Sequence, residues 1–183
     1  MNKQTTLAKS ISCTGTGLHS GREVRLSLSP APANAGIVFK RTDVNALESL
    51  VPARYDLVSE TRLGTTIRNR FGVSVSTIEH LMAALWGAGV DNAVVSLNAP
   101  EVPIMDGSSE PFMRLIAQAG VKTLSAPRKI LKLLKTVEIR EGASVARVMP
   151  NVEGEEGCVL AVEIEFASNV IKRQAAVYDF RNV

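Results

Sequence analysis

A glutamate followed directly by a histidine, Glu79-His80, is the pairing in this chain best suited to chemistry. A carboxylate can accept a proton and a neutral imidazole can ligate a metal ion, so together they supply two roles of a metal-assisted hydrolysis. A plainer role stands beside that one. Glu79 can close a capping box with Ser76, and His80 can be a hydrogen-bonded helix residue. The two-histidine helix of metalloproteases carries its second imidazole four residues on, where this chain has Ala84. His19 is the other of the two histidines, so a zinc site of three protein ligands and one open position needs carboxylates or cysteines to complete it. His19 lies in Thr14-Gly15-Thr16-Gly17-Leu18-His19-Ser20-Gly21. Loop amides there can hold an anion, or the stretch can simply cap a hairpin. Asp106, before Gly107, reads as a turn residue.

A helix must position the pair. Ile78, Leu81, Met82, Leu85 and Trp86 recur at i, i+3, i+4, i+7 and i+8, one apolar stripe of period 3.6. Ser76 and Glu79 mark its start, with Thr77 as the first helical residue, and Gly87 or Gly89 its stop. His80 then falls opposite the stripe, among Ala83, Ala84 and Gly87. Small residues there, in place of Lys, Glu or Arg, predict a face against a second packed layer or the wall of a cleft. In the first turn, the positive end of the helix dipole favours a carboxylate and an uncharged imidazole.

Around this helix the pattern is mixed. Thr5 to Cys13, Glu23 to Ser29, Gly36 to Arg41, Arg62 to Asn69 and Asp91 to Asn98 read as strands, the first two forming a hairpin. A second helix buries Phe112, Leu115, Ile116 and Ala119, with Pro111 near its start and Gly120 as its stop. Residues 1–125 are thus expected to form an α+β two-layer domain of about five strands and two helices. Residues 126–183 are expected to begin a second, similar domain, incomplete, with strands at Lys129 to Arg140, Ser144 to Met149, Cys158 to Phe166 and Ala175 to Phe180. Gly21, Val24, Pro30 and Gly36 are echoed by Gly142, Val145, Pro150 and Gly157, three of the four at an offset of 121 residues.

Composition narrows the partners. At 183 residues and 45% hydrophobic, the chain can bury the core of one large domain or two small ones. Aromatic residues make up only 4%, so that core is built from Val, Leu, Ile and Ala. A net charge of +3, without Lys and Arg interleaved with aromatics, argues against nucleic acid and suits a small anionic ligand. The run Arg128-Lys129-Lys132-Lys135 reads as a basic-edged strand or linker rather than a membrane-surface element. Cys13 and Cys158 form no Cys-x-x-Cys pair and fit a reducing compartment. Met1 to Thr6 has no apolar signal region, and no apolar run approaches the roughly 20 residues of a membrane span. A cytoplasmic protein without an integral membrane segment is expected.

Three stretches carry a family resemblance: Thr14 to Gly21, Ser76-Thr77-Ile78-Glu79-His80-Leu81, and Asn98-Ala-Pro-Glu-Val-Pro-Ile-Met-Asp106-Gly-Ser. Together they resemble the UDP-3-O-acyl-N-acetylglucosamine deacetylases, zinc amidases that commit a nucleotide sugar to lipid A synthesis in Gram-negative bacteria. The resemblance runs in order over essentially the whole chain and is most specific in its first two-thirds. It implies two layered domains with the active site between the helical layers. It also implies that His80 is a zinc ligand, that Glu79 is the general base, that His19 and Leu63 line the substrate site, and that Phe166 belongs to the nucleotide pocket. The implied partner is a small-molecule nucleotide sugar bearing an acyl chain, handled by a monomer. The family's remaining zinc ligands, a second His and an Asp, lie in its C-terminal part with a further His that assists protonation of the leaving amine. Those lie beyond this chain, which is therefore expected to be an N-terminal part, inactive alone. The alternative is a non-catalytic nucleotide-sugar-binding or regulatory fragment.

Overall fold

In the computed structural model, which describes residues 3–152 and 157–180, the chain divides into two units, residues 1–129 and 130–183. The first unit runs β1 (Lys3–Leu7), β2 (Ile11–Thr16), β3 (Glu23–Pro30), β4 (Ile37–Arg41), β5 (Leu50–Pro52), β6 (Val58–Glu60), β7 (Thr66–Arg68), β8 (Ser74–Val75), α1 (Glu79–Gly87), β9 (Ala93–Leu97), α2 (Glu110–Ala119) and β10 (Val121–Pro127). The second holds β11 (Val137–Glu141), β12 (Ser144–Val148), β13 (Val159–Glu165) and β14 (Arg173–Asp179).

The main sheet has the order β2-β3-β9-β4-β5. All its pairs are antiparallel except β4 with β9. Register decides which residues meet: Leu26 lies opposite Leu97, Leu28 opposite Val95, and Phe39 alongside Val95. Because side chains alternate along a strand, all five point to one face, and all are buried. Leu81 and Leu85 of α1 and Phe112 and Ile116 of α2 complete the same core cluster. Each such side chain contributes about 1.5–3 kcal/mol by leaving water. The opposite, polar face carries Ser12, Thr14, Arg25, Ser27 and Ser96 around a shallow depression of about 480 Å³. The expected α+β class is what forms, with two smaller sheets, β1-β10 and β6-β7-β8, beside the main one.

The stretch from Thr5 to Cys13 is two strands, not one. β1 pairs with β10 in one sheet and β2 with β3 in another, and the Ala8 N–H donates to the Gly120 carbonyl at 2.9 Å where the chain crosses over. Arg62 to Asn69 is strand only over Thr66–Arg68.

α1 departs from expectation in two ways. It begins at Glu79, because Thr77 has φ +56°, outside the helical region. No capping box forms: the Ser76 hydroxyl donates to the Pro100 carbonyl at 3.1 Å, and Glu79 accepts a hydrogen bond from Thr65 instead. The buried face is His80, Leu81, Ala84 and Leu85, while Trp86 is 60% exposed. α1 rests on the sheet on one side and on α2 on the other, so the small residue Ala84 and His80 face inward and Trp86 turns to solvent. α2 follows its sequence signals closely, with Pro111 in its first turn and Gly120 at φ +72° ending it.

In the second unit β11 pairs with β12 and β13 with β14, two antiparallel hairpins. The strand expected over Lys129 to Arg140 exists only from Val137, and Ile130, Leu131 and Leu134 before it are exposed. Along the hairpins Ile139, Val145, Leu160, Val162 and Ile164 are also exposed.

Candidate functional site

A buried carboxylate organises the region around α1. Glu101, 1% exposed, accepts the His19 N–H at 2.9 Å and the Thr77 hydroxyl at 3.1 Å on Oε1, and the Ser20 N–H at 2.8 Å on Oε2. Burial by itself would raise the pKa of this group. Hydrogen bonds from the Ser20 side chain, the His19 and Ser20 amides and the Thr77 hydroxyl outweigh that and hold Glu101 below the usual carboxylate range. Gly17 is where this close approach needs a missing side chain: a Cβ there would overlap Ser20 Oγ and Glu101 Oε2. Backbone bonds stitch the Glu101 loop to both neighbours, from Ile104 N–H to the Thr16 carbonyl (2.9 Å), Ser76 N–H to Pro100 (2.8 Å) and Val102 N–H to Ser76 (3.1 Å).

From that anchor the candidate residues follow in order. The His19 ring Nε2 lies 3.2 Å from the Leu63 carbonyl. A carbonyl only accepts, so this nitrogen carries the proton. Leu63, at φ +59° and 79% exposed, turns the chain so that the Thr65 N–H donates to Glu79 Oε2 at 3.0 Å. A Cβ at Gly64 would sit 3.3 Å from Glu79 Oε1, so the carboxylate lies directly over that glycine. Glu79 itself is exposed.

His80 is only 8% exposed and its Nε2 lies 3.1 Å from the Pro103 carbonyl. By the same logic Nε2 donates, leaving Nδ1 as the lone-pair nitrogen. The ring packs on Phe112, centroids 5.3 Å apart and tilted by 58°. The second layer expected behind this face of the helix is therefore α2. Asp106 is the turn residue expected, accepting the Ser108 N–H at 2.9 Å and its hydroxyl at 2.8 Å.

His19, Leu63 and Glu79 are thus joined in one hydrogen-bonded run, with His80 adjacent. Phe166 lies in the second unit, just past β13, exposed, its N–H donating to the Lys172 carbonyl at 3.1 Å. Among the described residues no three His, Cys, Asp or Glu side chains converge as a metal site. His80 fits one zinc ligand, since a ligating imidazole commonly donates its other N–H to a backbone carbonyl, but it does not make a site alone. Glu101, Thr77 and Pro103 lie inside the stretches that carry the family resemblance, but nothing in residue type or spacing gave them a role. The one hint is an acidic residue set among Ala99, Pro100, Val102 and Pro103, where an apolar loop would otherwise run.

A chain with this two-layer unit and these motifs in order belongs to the family described as LpxC: UDP-3-O-acyl N-acetylglycosamine deacetylase, whose model matches residues 4–183. It is similar to the UDP-3-O-acyl-N-acetylglucosamine deacetylase of Neisseria meningitidis serogroup B, 47% identical over 177 residues, which cover 96% of this chain and 56% of that protein. The protein of the same name from Vibrio cholerae serotype O1 is 46% identical over 182 residues, covering 98% of this chain and 58% of its own length. The chain therefore spans somewhat more than half the length of these relatives.

Proposed function

We propose that this chain is the general-base-bearing part of a deacetylase that hydrolyses the acetamide of UDP-3-O-acyl-N-acetylglucosamine to the free amine and acetate, in lipid A biosynthesis. The observation that carries this is the run His19–Leu63–Thr65–Glu79, set beside His80 in a member of the deacetylase family.

In this proposal His80 supplies one zinc ligand through Nδ1, its ring fixed by the Pro103 carbonyl and by Phe112. The remaining ligands come from the part of the relatives that this chain does not span. Zinc bound there supplies Lewis-acid polarisation of the acetamide carbonyl and lowers the pKa of a water toward about 7. Glu79 accepts the proton of the attacking water. Its Oε2 is held by the Thr65 N–H, which limits how far the base can swing. His19, with the exposed apolar side chains of Leu18 and Leu63 flanking it, presents a surface with both polar and apolar character to an acylated sugar. Phe166 is proposed to stack in the nucleotide pocket. The reaction is proposed to be cytoplasmic, which suits a nucleotide-sugar substrate, and the complete protein is proposed to act as a monomer. No helix among the described residues is long and apolar enough to cross a membrane.

The second unit is proposed to begin a repeat of the first fold, with the boundary near residue 126. Its support is conformational. Gly21 before β3 and Gly142 before β12 have φ of +62° and +56°, and Gly36 before β4 and Gly157 before β13 have +67° and +97°. Such left-handed turns at matched places are what one fold written twice requires.

The test uses the complete gene product that contains this chain, loaded with zinc. Glu79→Ala is expected to lower turnover by about 10²–10⁴-fold with an unchanged circular dichroism spectrum. A near-normal rate removes Glu79 from the mechanism. The 183-residue chain is expected to bind zinc only weakly, and tight stoichiometric binding would show that it completes a site by itself. A second reading is a nucleotide-sugar-binding fragment without catalysis, since among the described residues no three His, Cys, Asp or Glu side chains converge as a metal site. It predicts substrate binding that chelators leave unchanged.

A further inference from the structure

We propose that Glu101 is a positioning residue for this reaction: a buried carboxylate that sets His19, Glu79 and His80 in register by gripping the amides of His19 and Ser20 and the hydroxyl of Thr77, two residues before Glu79. The inference rests on the deacetylase function proposed above.

The donor count supports it. Glu101 faces two backbone N–H groups and two hydroxyls, those of Ser20 and Thr77. Among the described residues it has no ion-pair partner within 4.0 Å. Only a group that accepts on both oxygens can satisfy these donors. A glutamine would set its NH₂ against N–H or O–H donors, and an aspartate would fall one methylene short.

Position supports it as well. Thr77 is β-branched and held in the left-handed region at φ +56°, a conformation that costs about 1–3 kcal/mol and persists only where the surroundings enforce it. The Glu101–Thr77 hydrogen bond is such an enforcement. The turn it holds starts the helix at Glu79, sending the Glu79 carboxylate toward Thr65 and the His80 ring toward Pro103. Pro103, whose carbonyl accepts the His80 Nε2–H hydrogen bond, lies two residues after Glu101 on the same loop. On the other side, the His19 N–H bonded to Glu101 belongs to the residue whose ring reaches Leu63. One buried anion thus bonds none of the three side chains, and acts on them through the His19 amide and through Thr77, two residues before Glu79. Backbone bonds from Ile104 to Thr16 and from Val102 to Ser76 anchor the same loop independently of the carboxylate.

The experiment has two arms. In the 183-residue chain, long-range ¹⁵N–¹H spectra of the two imidazoles read ring order directly. Wild-type is expected to show the Nε2–H tautomer at both His19 and His80, and Glu101→Gln a tautomer mixture at His19 with core methyl shifts unchanged. In the zinc-loaded complete gene product, Glu101→Gln is expected to lower kcat about 10–100-fold with a smaller change in KM, and Glu101→Asp, which keeps the charge, to lose less. Wild-type kcat in Glu101→Gln would overturn the proposal. So would a loss that merely tracks a smaller folded fraction, which is the mark of a structural role. If wild-type fails to cleave the acetamide, the function proposed above falls and takes the catalytic part of this inference with it, while the imidazole spectra still report whether Glu101 orders the rings.

Discussion

Gly17→Ala probes the buried carboxylate from its other side. Gly17 is buried and lies outside the left-handed region, so an alanine is not strained by its own backbone. On that ground alone the substitution would stabilise by about 0.4–1 kcal/mol, through the unfolded chain. The new Cβ, however, overlaps Ser20 Oγ and Glu101 Oε2 and lies 3.0 Å from Glu101 Cδ, where carbon atoms ordinarily meet at about 3.5–4.0 Å. Ser20 is exposed and can rotate away. Glu101 cannot without leaving donors at 2.8 and 2.9 Å. A retreat of about 1 Å takes both bonds out of hydrogen-bonding range, and each bond to a charged acceptor is worth about 1.5–3 kcal/mol. Partial relaxation and the entropic gain leave a net destabilisation of about 2–4 kcal/mol. Urea unfolding followed by the fluorescence of Trp86, the sole tryptophan, measures it. The decisive comparison is the same substitution in a Glu101→Ala background, where the opposing carboxylate is gone and the cost should fall below about 1 kcal/mol, a coupling of about 2 kcal/mol or more. Equal costs in the two backgrounds, or a stabilised single variant, would refute the steric and electrostatic account together.

Two further outcomes follow from the same geometry. Although burial opposes it, Glu101 is held below the 4.5 of a free glutamate by the Ser20, His19 and Thr77 hydrogen bonds. The unfolded chain therefore takes up the proton first as pH falls. The contribution is complete above about 4.5 and is lost as pH drops through the folded-state pKa, so the acid slope of urea midpoints should be shallower in Glu101→Gln, and an unchanged slope would contradict this. Phe112, fully buried against His80, should cost about 3–5 kcal/mol on truncation to Ala. Phe112→Leu should cost far less, and imidazole ¹⁵N spectra should show His80 disordered in the former and ordered in the latter.

Local patterning carried much of the fold. Alternation in Glu23–Pro30 marks a half-buried strand, the apolar run within Ala93–Leu97 a buried one, and Pro111 and Gly120 bound α2, because those signals depend on the backbone conformation of a few neighbouring residues. The Glu79-His80 pair and His19 were legible as residue types in recognisable motifs, Leu63 came only from the family resemblance, and the α+β class followed from mixed periodicity. What the sequence did not disclose depends on contacts between distant segments. Helix α1 begins late because Thr77 is held left-handed by a carboxylate 24 positions away, a constraint no capping rule contains. Trp86 is outside and His80 inside because α2 covers the other side of the helix, and a helical stripe does not say which of its flanks a neighbour will take. Glu101 stood in a family stretch yet gave no role for the same reason: its N–H donors lie 82 and 81 residues earlier, and only the folded chain brings enough of them together to make a buried charge tolerable.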